Sequence, residues 1–211
     1  MKLKQHLDVG KYILDNLDSK YEINKQAYLF GNIAPDLNCV YPAHRLKTTE
    51  NRFYKRLQIV DNTSFNTIKS FTLGVITHYI CDYFCYAHNI ESIGIVHKKY
   101  ETNLYNYYES HLNEILEDRE QLKDVWKYNK LKSKNQIIKN NTIDVESHCK
   151  LILEQIKNMN TEYLKHIYKS EDNSWAYKNQ QMKVDLEYAM FMVENITALI
   201  LEPFKCLTVQ H

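Results

Sequence analysis

The feature of this sequence that most restricts its fold is the scarcity of glycine and proline, with four Gly and three Pro in 211 residues. A β-sandwich or β-barrel needs a turn about every 10 residues, and turns rely heavily on these two residue types. Apolar residues instead recur at helical spacing, as Leu3, Leu7 and Ile13 do near the start. The sequence therefore predicts an all-α protein, and its length suits one multi-helix domain over residues 1–211.

The spacing of apolar residues also predicts where the helices lie. An amphipathic helix is expected at 2–17 and a short one at 22–30, because Gly31 and Pro35 are typical of a helix end. Residues 32–62 are expected to be irregular, although 51–60 could be helical. Longer helices are predicted at about 64–86, 96–120, 143–169 and 180–202.

Charge and hydropathy exclude some classes of partner. The 27 basic and 26 acidic side chains nearly cancel, so nucleic acid is a possible partner that the charge does not indicate. The longest nearly uncharged stretch, Phe71–Ile80, is far shorter than the roughly 20 apolar residues of a membrane-spanning helix. No transmembrane segment is expected.

Cysteine content and the first residues bear on the compartment. Five cysteines, an odd number, do not form a recognisable disulfide framework. The first 16 residues include Asp8 and Asp15 and lack an uninterrupted apolar run, so they do not resemble a secretory signal. Free thiols without an export signal predict a cytoplasmic protein.

Histidines and carboxylates are concentrated in the first 101 residues. His78 precedes Asp82 by four positions on a predicted helix, and His97 precedes Glu101 by the same spacing. Such a pair projects from one helix face with its tips about 6 Å apart, close enough to bind one ion. One pair alone could be a hydrogen bond in a helical core, but two pairs with His88 nearby favour a metal site. Imidazole and carboxylate ligands suit zinc.

These residues carry a resemblance to a known family. The runs that carry it are His78-Tyr-Ile-Cys-Asp82-Tyr-Phe-Cys-Tyr-Ala-His88, His97-Lys-Lys-Tyr-Glu101, Gly31-Asn-Ile-Ala-Pro-Asp36 with His44, and Gln5-His6-Leu-Asp-Val. In their order along the chain they resemble the bacterial zinc-dependent phospholipase C family, which is related in fold to secreted single-strand-specific zinc nucleases. Cys81 and Cys85 flank the cluster, and core packing is the role expected of them.

The resemblance implies a cleft between helices that holds two to three zinc ions. It assigns Asp36, His44, His78 and Asp82 to the first ion and His88, His97 and Glu101 to the second. It assigns His6 and a bridging oxygen of Asp82 to the third, together with the terminal amine and carbonyl of the chain. In the family that terminus is a Trp exposed by cleavage, whereas this chain has Met1.

A multinuclear zinc site favours hydrolysis of a phosphoester or phosphodiester. The ions outweigh the negative charge of the carboxylates, so the cleft attracts a phosphate and stabilises its transition state. Asp36 is the predicted general base that orients the attacking water.

The substrate is a phosphate-ester small molecule or a phospholipid headgroup. Family phospholipases hold choline with aromatic and acidic side chains; Tyr41 keeps one of those aromatic positions, and Leu37 replaces another. A nuclease or nucleotide phosphatase on the same site is an alternative, which an exposed stacking aromatic would favour. A non-catalytic helical metal-binding protein is another, which a closed coordination shell would favour.

Overall fold

The computed structural model of the protein describes residues 1–37, 45–90, 94–127, 145–167 and 175–201. Every regular element in this part of the chain is helical, which confirms the all-α prediction. The helices are α1 (Leu3–Asn16), α2 (Lys25–Leu37), α3 (Leu46–Asn62), α4 (Asn66–Tyr83), α5 (Tyr86–Asn89), α6 (Gly94–Asp118), α7 (Val145–Ile167) and α8 (Trp175–Leu201). A 3-10 turn, Arg119–Gln121, follows α6, and 122–127 are helical.

The centre of the molecule is α4. All of its residues from Thr72 to Tyr83 are buried, as expected for a helix that is apolar on every side. The helices α1, α2, α3 and α8 contact it. His78 and Asp82 lie within this buried stretch and are 0% exposed, so their polar atoms need partners inside the protein.

The helices α2 and α4 run parallel at a fixed offset of 46 residues. The backbone N–H of Asn24 donates to Ser70 Oγ at 2.9 Å, and His78 Nδ1 lies 2.9 Å from the carbonyl oxygen of Asn32 at the same offset. One further turn along both helices brings Asp36 level with Asp82. The register of this pair therefore places one carboxylate from each helix at the same end of the contact.

Two glycines allow this close packing. A Cβ on Gly74 would lie 2.0 Å from the carbonyl oxygen of Tyr28, and a Cβ on Gly31 would lie 2.0 Å from that of Phe71. The two backbones touch where a side chain would otherwise stand, so only glycine fits at both positions.

The predicted end of the second helix at residue 30 is wrong. The helix α2 continues through Gly31 and Pro35 to Leu37. Its packing against α4 outweighs helix-propensity penalties of about 1 kcal/mol for Gly31 and about 3 kcal/mol for Pro35. The region expected to be irregular, 32–62, contains α3, which is longer than the suggested 51–60.

The predicted helix at 64–86 ends early. It stops at Tyr83, and α5 begins at Tyr86. Side-chain amides of Asn89 and Asn160 donate to the carbonyl of Tyr83 at 3.0 and 2.7 Å, so this carbonyl is satisfied without a further helical turn.

The other predicted helices are confirmed at α1, α6, α7 and α8 with small shifts at their ends. The helix α6 bends at His111, whose backbone is not helical. None of the described helices is long and apolar enough to cross a membrane, and the cytoplasmic location stays a prediction.

Candidate metal centre

The predicted ligands that lie within the described residues converge near the C-terminal ends of α2 and α4. They are His6 on α1, Asp36 on α2, His78 and Asp82 on α4, His88 on α5, and His97 and Glu101 on α6. His44 and Tyr41 lie outside the described residues. Helix C-termini carry a partial negative charge, which favours a cation at this position.

Asp82 is the hub of the site. Its Oδ1 lies 3.4 Å from Nε2 of His6 and 3.3 Å from Nε2 of His88, while its Oδ2 lies 3.2 Å from Nε2 of His78. Both oxygens of one fully buried carboxylate thus face imidazole nitrogens from three helices. A carboxylate in this position can bridge two ions.

The first ligand group consists of His6, Asp36 and His78, whose potential ligand atoms all lie within 4.8 Å of one another. Asp36 Oδ1 is 3.7 Å from Nε2 of His78, and Asp36 Oδ2 is 4.0 Å from Nε2 of His6. The two imidazole rings are stacked with their centroids 3.9 Å apart.

The hydrogen bond between His78 and Asn32 fixes the orientation of that imidazole. The carbonyl oxygen of Asn32 can only accept, so Nδ1–H of His78 donates to it at 2.9 Å. Nε2 is then the nitrogen left for a metal, and it points toward Asp36 and Asp82. Metal-binding histidines commonly have their second nitrogen held in this way.

The second ligand group consists of His88, His97 and Glu101. Oε1 of Glu101 lies 3.2 Å from Nε2 of His88 and 3.0 Å from Nε2 of His97. The two imidazole rings meet edge to face with centroids 4.6 Å apart. Asp82 Oδ1, 3.3 Å from Nε2 of His88, connects this group to the first.

The separations between Asp82 and its three imidazoles match the edges of a zinc coordination shell. Two atoms bound about 2.0–2.1 Å from one zinc at tetrahedral angles lie about 3.3 Å apart. The contacts of Asp82 with its three imidazoles span 3.2–3.4 Å, whereas charge-assisted hydrogen bonds are about 2.7–2.9 Å. The buried ring nitrogens of His6 also have no hydrogen-bond partner among the described residues. These residues fit zinc.

The terminal amine of Met1 lies inside the same cluster. Its nitrogen is 2.5 Å from Asp82 Oδ1, 3.0 Å from Nε2 of His88 and 3.2 Å from Oε1 of Glu101. Burial disfavours the charged amine, but the facing carboxylates raise its pKa well above the ordinary value. A cationic group is therefore stable at the point where Asp82, His88 and Glu101 meet.

Two of the imidazoles and the carboxylate of Asp82 are already in the protonation state that metal binding requires. Burial and the neighbouring His78 lower the pKa of His6 to about 3, and burial lowers the pKa of His88 to about 4. Burial acts to raise the pKa of Asp82, but His88, the terminal amine and the other imidazoles hold it well below its usual range. At neutral pH these imidazoles are neutral and this carboxylate is ionised, as zinc requires.

One side of the site is open to solvent. The side chains of His6, His78 and Asp82 are at most 1% exposed, whereas Asp36 and His97 are both 26% exposed. The sequence neighbours of Asp36 and His97 include exposed aliphatic residues: Leu37, Ile95 and Val96, at 57%, 81% and 56% exposure.

The structure adds two features that the residue spacing alone did not identify. One is the Asn32 carbonyl as the hydrogen-bond partner of His78, and the other is the buried position of the Met1 amine. The Asn32 carbonyl leaves no sequence signal, because every residue has one. Cys81 and Cys85 are fully buried free thiols outside both ligand groups. Burial raises the pKa of both well above the ordinary value, in keeping with the expected packing role.

The comparison with protein families gives one match. A family model described as zinc dependent phospholipase C covers residues 5–170. That range includes every predicted side-chain ligand, from His6 to Glu101. Neither the curated proteins nor the solved structures include a match to the chain.

Proposed function

The chain belongs to the zinc-dependent phospholipase C family, and from this premise we propose that it hydrolyses a phosphodiester at the metal centre. The observation that carries the proposal is the convergence on Asp82, where imidazoles from three helices stand at zinc-edge distances. The family makes the chain a zinc-dependent hydrolase; the ligand assignment, the number of ions and the substrate are proposed.

Two to three zinc ions occupy the site in this proposal. Asp36, His44, His78 and Asp82 hold the first ion, and the second ligand group holds the second. His6, the bridging carboxylate of Asp82 and the Met1 terminus hold the third. When bound, zinc acts as a Lewis acid for the phosphoryl oxygens and offsets the charge that develops in the transition state.

The residues of the chain set the charge of the cleft. Three carboxylates contribute three negative charges, and a histidine binds zinc in its neutral form. Two zinc ions then leave the cleft with a net charge of about +1, which suits a phosphodiester anion. The cleft binds this anion from its open side, next to Asp36 and His97.

Asp36 is the proposed general base. It is the most exposed of the three carboxylates, with 26% of its side chain accessible against 15% for Glu101 and 1% for Asp82. Only a carboxylate at the open edge can meet both the water and the incoming phosphate. Asp36 accepts the proton of the attacking water, while the buried carboxylate of Asp82 keeps the surrounding imidazoles in position.

The exposed aliphatic neighbours of Asp36 and His97 in the sequence favour a substrate with hydrocarbon chains, such as a phospholipid, over a nucleic acid. Leu37, Ile95 and Val96 are aliphatic, and aliphatic side chains contact acyl chains without stacking on bases. We keep Tyr41 as the proposed contact for the headgroup. The open side also supports catalysis over a structural zinc site, in which all positions are filled by the protein.

Zinc content and turnover of a generic phosphodiester test the proposal. Zinc-reconstituted protein should contain at least two zinc ions and cleave bis(p-nitrophenyl) phosphate, and chelation should abolish both. Asp36→Asn should lower kcat at least about 100-fold, the range of a lost general base. Asp82→Ala should also lose zinc, because its carboxylate faces three of the other ligands.

Asp8→Asn is the matched control. Asp8 is 26% exposed like Asp36, but it pairs with Lys11 on the surface of α1, so its variant should keep wild-type turnover. Less than one zinc per chain after reconstitution would contradict the metal centre. Full activity in Asp36→Asn with full zinc content would contradict the assignment of the base.

A further inference from the structure

A carboxylate outside the metal centre, that of Asp185 on α8, collects hydrogen bonds from four helices. It is 0% exposed. Its Oδ2 accepts from the backbone N–H of Tyr86 at 2.7 Å and from the hydroxyl of Tyr100 at 2.9 Å. Its Oδ1 accepts from the hydroxyl of Tyr163 at 2.8 Å and from Nε2 of Gln181 at 2.7 Å. The donors belong to α5, α6, α7 and α8.

The two donors to Oδ2 stand next to the second ligand group. Tyr86 is the first residue of α5, two positions before His88, and Tyr100 immediately precedes Glu101 on α6. Their rings contact each other with centroids 5.3 Å apart. One oxygen of Asp185 therefore joins the two segments that carry this ligand group.

These segments need an external anchor. The helix α5 has four residues, and a helix of one turn is not stable by its own hydrogen bonds. Burial raises the pKa of Asp185 to about 7, while its four donors act in the opposite direction. A carboxylate buried here is tolerated only because its oxygens are satisfied.

We infer that Asp185 is a positioning residue for the zinc ion of the second ligand group, an inference that rests on the proposed function. Through Tyr86 and Tyr100 it sets the distance between α5 and the start of α6, so that the three ligand atoms already face one point. Tyr163 and Gln181 both donate to the other oxygen, so loss of the Tyr163 hydroxyl still leaves that oxygen with one donor. Outer partners of metal ligands typically change metal affinity about 10–100-fold when removed.

Two tyrosine variants separate positioning from general stability. Tyr100→Phe removes the link to the ligand-bearing helix α6, whereas Tyr163→Phe removes the same hydroxyl–carboxylate bond on α7, which carries no predicted ligand. Zinc affinity is measured by competition with a chromophoric chelator at pH 8, above the pKa of Asp185. Tyr100→Phe should weaken one zinc at least about tenfold, and Tyr163→Phe should change it less than about twofold.

Melting temperatures of the two variants in chelator provide the stability reference. Equal losses of zinc affinity in both, or none in Tyr100→Phe, would overturn the inference and leave the proposed function standing. In a His97→Ala background, which lacks a ligand of the second group, Tyr100→Phe should not weaken the zinc that remains; a further loss there would also overturn it. A wild-type protein that binds no zinc would contradict the proposed function itself.

Discussion

Replacing Gly74 with alanine should separate α2 from α4 and weaken the metal centre. The new Cβ would lie 2.0 Å from the Tyr28 carbonyl oxygen and 2.8 Å from the Asn32 nitrogen, and an ordinary contact begins at 3.4 Å. Both obstacles are backbone atoms, so the helices must move apart by about 1.4 Å. The 2.9 Å hydrogen bond from His78 to Asn32 would then exceed hydrogen-bonding distance.

The magnitude follows from three contributions. Overpacking costs about 1–3 kcal/mol, and the lost buried hydrogen bond costs about 1–2 kcal/mol. Alanine recovers about 1 kcal/mol of helix propensity. The net loss is about 1–4 kcal/mol, equivalent to a Tm lower by about 2–16 °C for a chain of this length.

Thermal unfolding in chelator measures this loss, and a zinc titration measures its effect on the site. Gly10→Ala is the control, because its Cβ would meet the side-chain amide of Asn32 at 2.3 Å, and a side chain can move aside more easily than a backbone. It should cost less than half as much. An unchanged Tm in Gly74→Ala, or a larger loss in Gly10→Ala, would refute the reasoning.

Two further predictions concern single side chains. Burial raises the pKa of Glu187 to about 7, so the folded state binds the extra proton between about pH 4.5 and 7, and its stability falls as pH rises through that range. Glu187→Gln should therefore raise Tm by about 3 °C at pH 8, which corresponds to about 1 kcal/mol after allowance for solvent screening. At pH 4.5 the substitution should leave Tm unchanged. Equal shifts at both pH values would contradict the raised pKa of Glu187. His6→Ala should lower zinc content by one ion. The ion lost should be the one that wild type loses first in staged dialysis against a chelator, because the third zinc site has few protein ligands. Identical zinc content in both proteins at every chelator concentration would show that His6 is not a ligand.

Local pattern was enough to predict most of the helices and the side-chain pairs of the candidate metal centre. The helices α1, α7 and α8 were predictable because apolar residues recur with the helical period along one face or around the whole helix. The ligand pairs on α4 and α6 were predictable because a four-residue spacing on a helix fixes the relative position of two side chains. Neither inference needs information from distant parts of the chain.

The features that could not be predicted depend on distant contacts. Gly31 and Pro35 are typical of a helix end, and only the contact with α4 explains why α2 continues through them. The break between α4 and α5 lies in an apolar stretch without any local signal. Asn160 donates to the carbonyl of Tyr83 and Asp185 accepts from the N–H of Tyr86, and these two partners follow the break by about 77 and 99 residues.

The helix α8 has a consequence for where the chain can be divided. The family match ends at residue 170, before α8 begins at Trp175. A fragment of residues 1–170 would keep every predicted ligand but would expose the faces of α4, α6 and α7 that α8 covers. Leu186, Met190 and Val193 are 0% exposed in the intact protein, and burial of such side chains contributes about 1.5–3 kcal/mol each. The smallest part of the chain that folds is therefore expected to be longer than the segment that contains the predicted ligands.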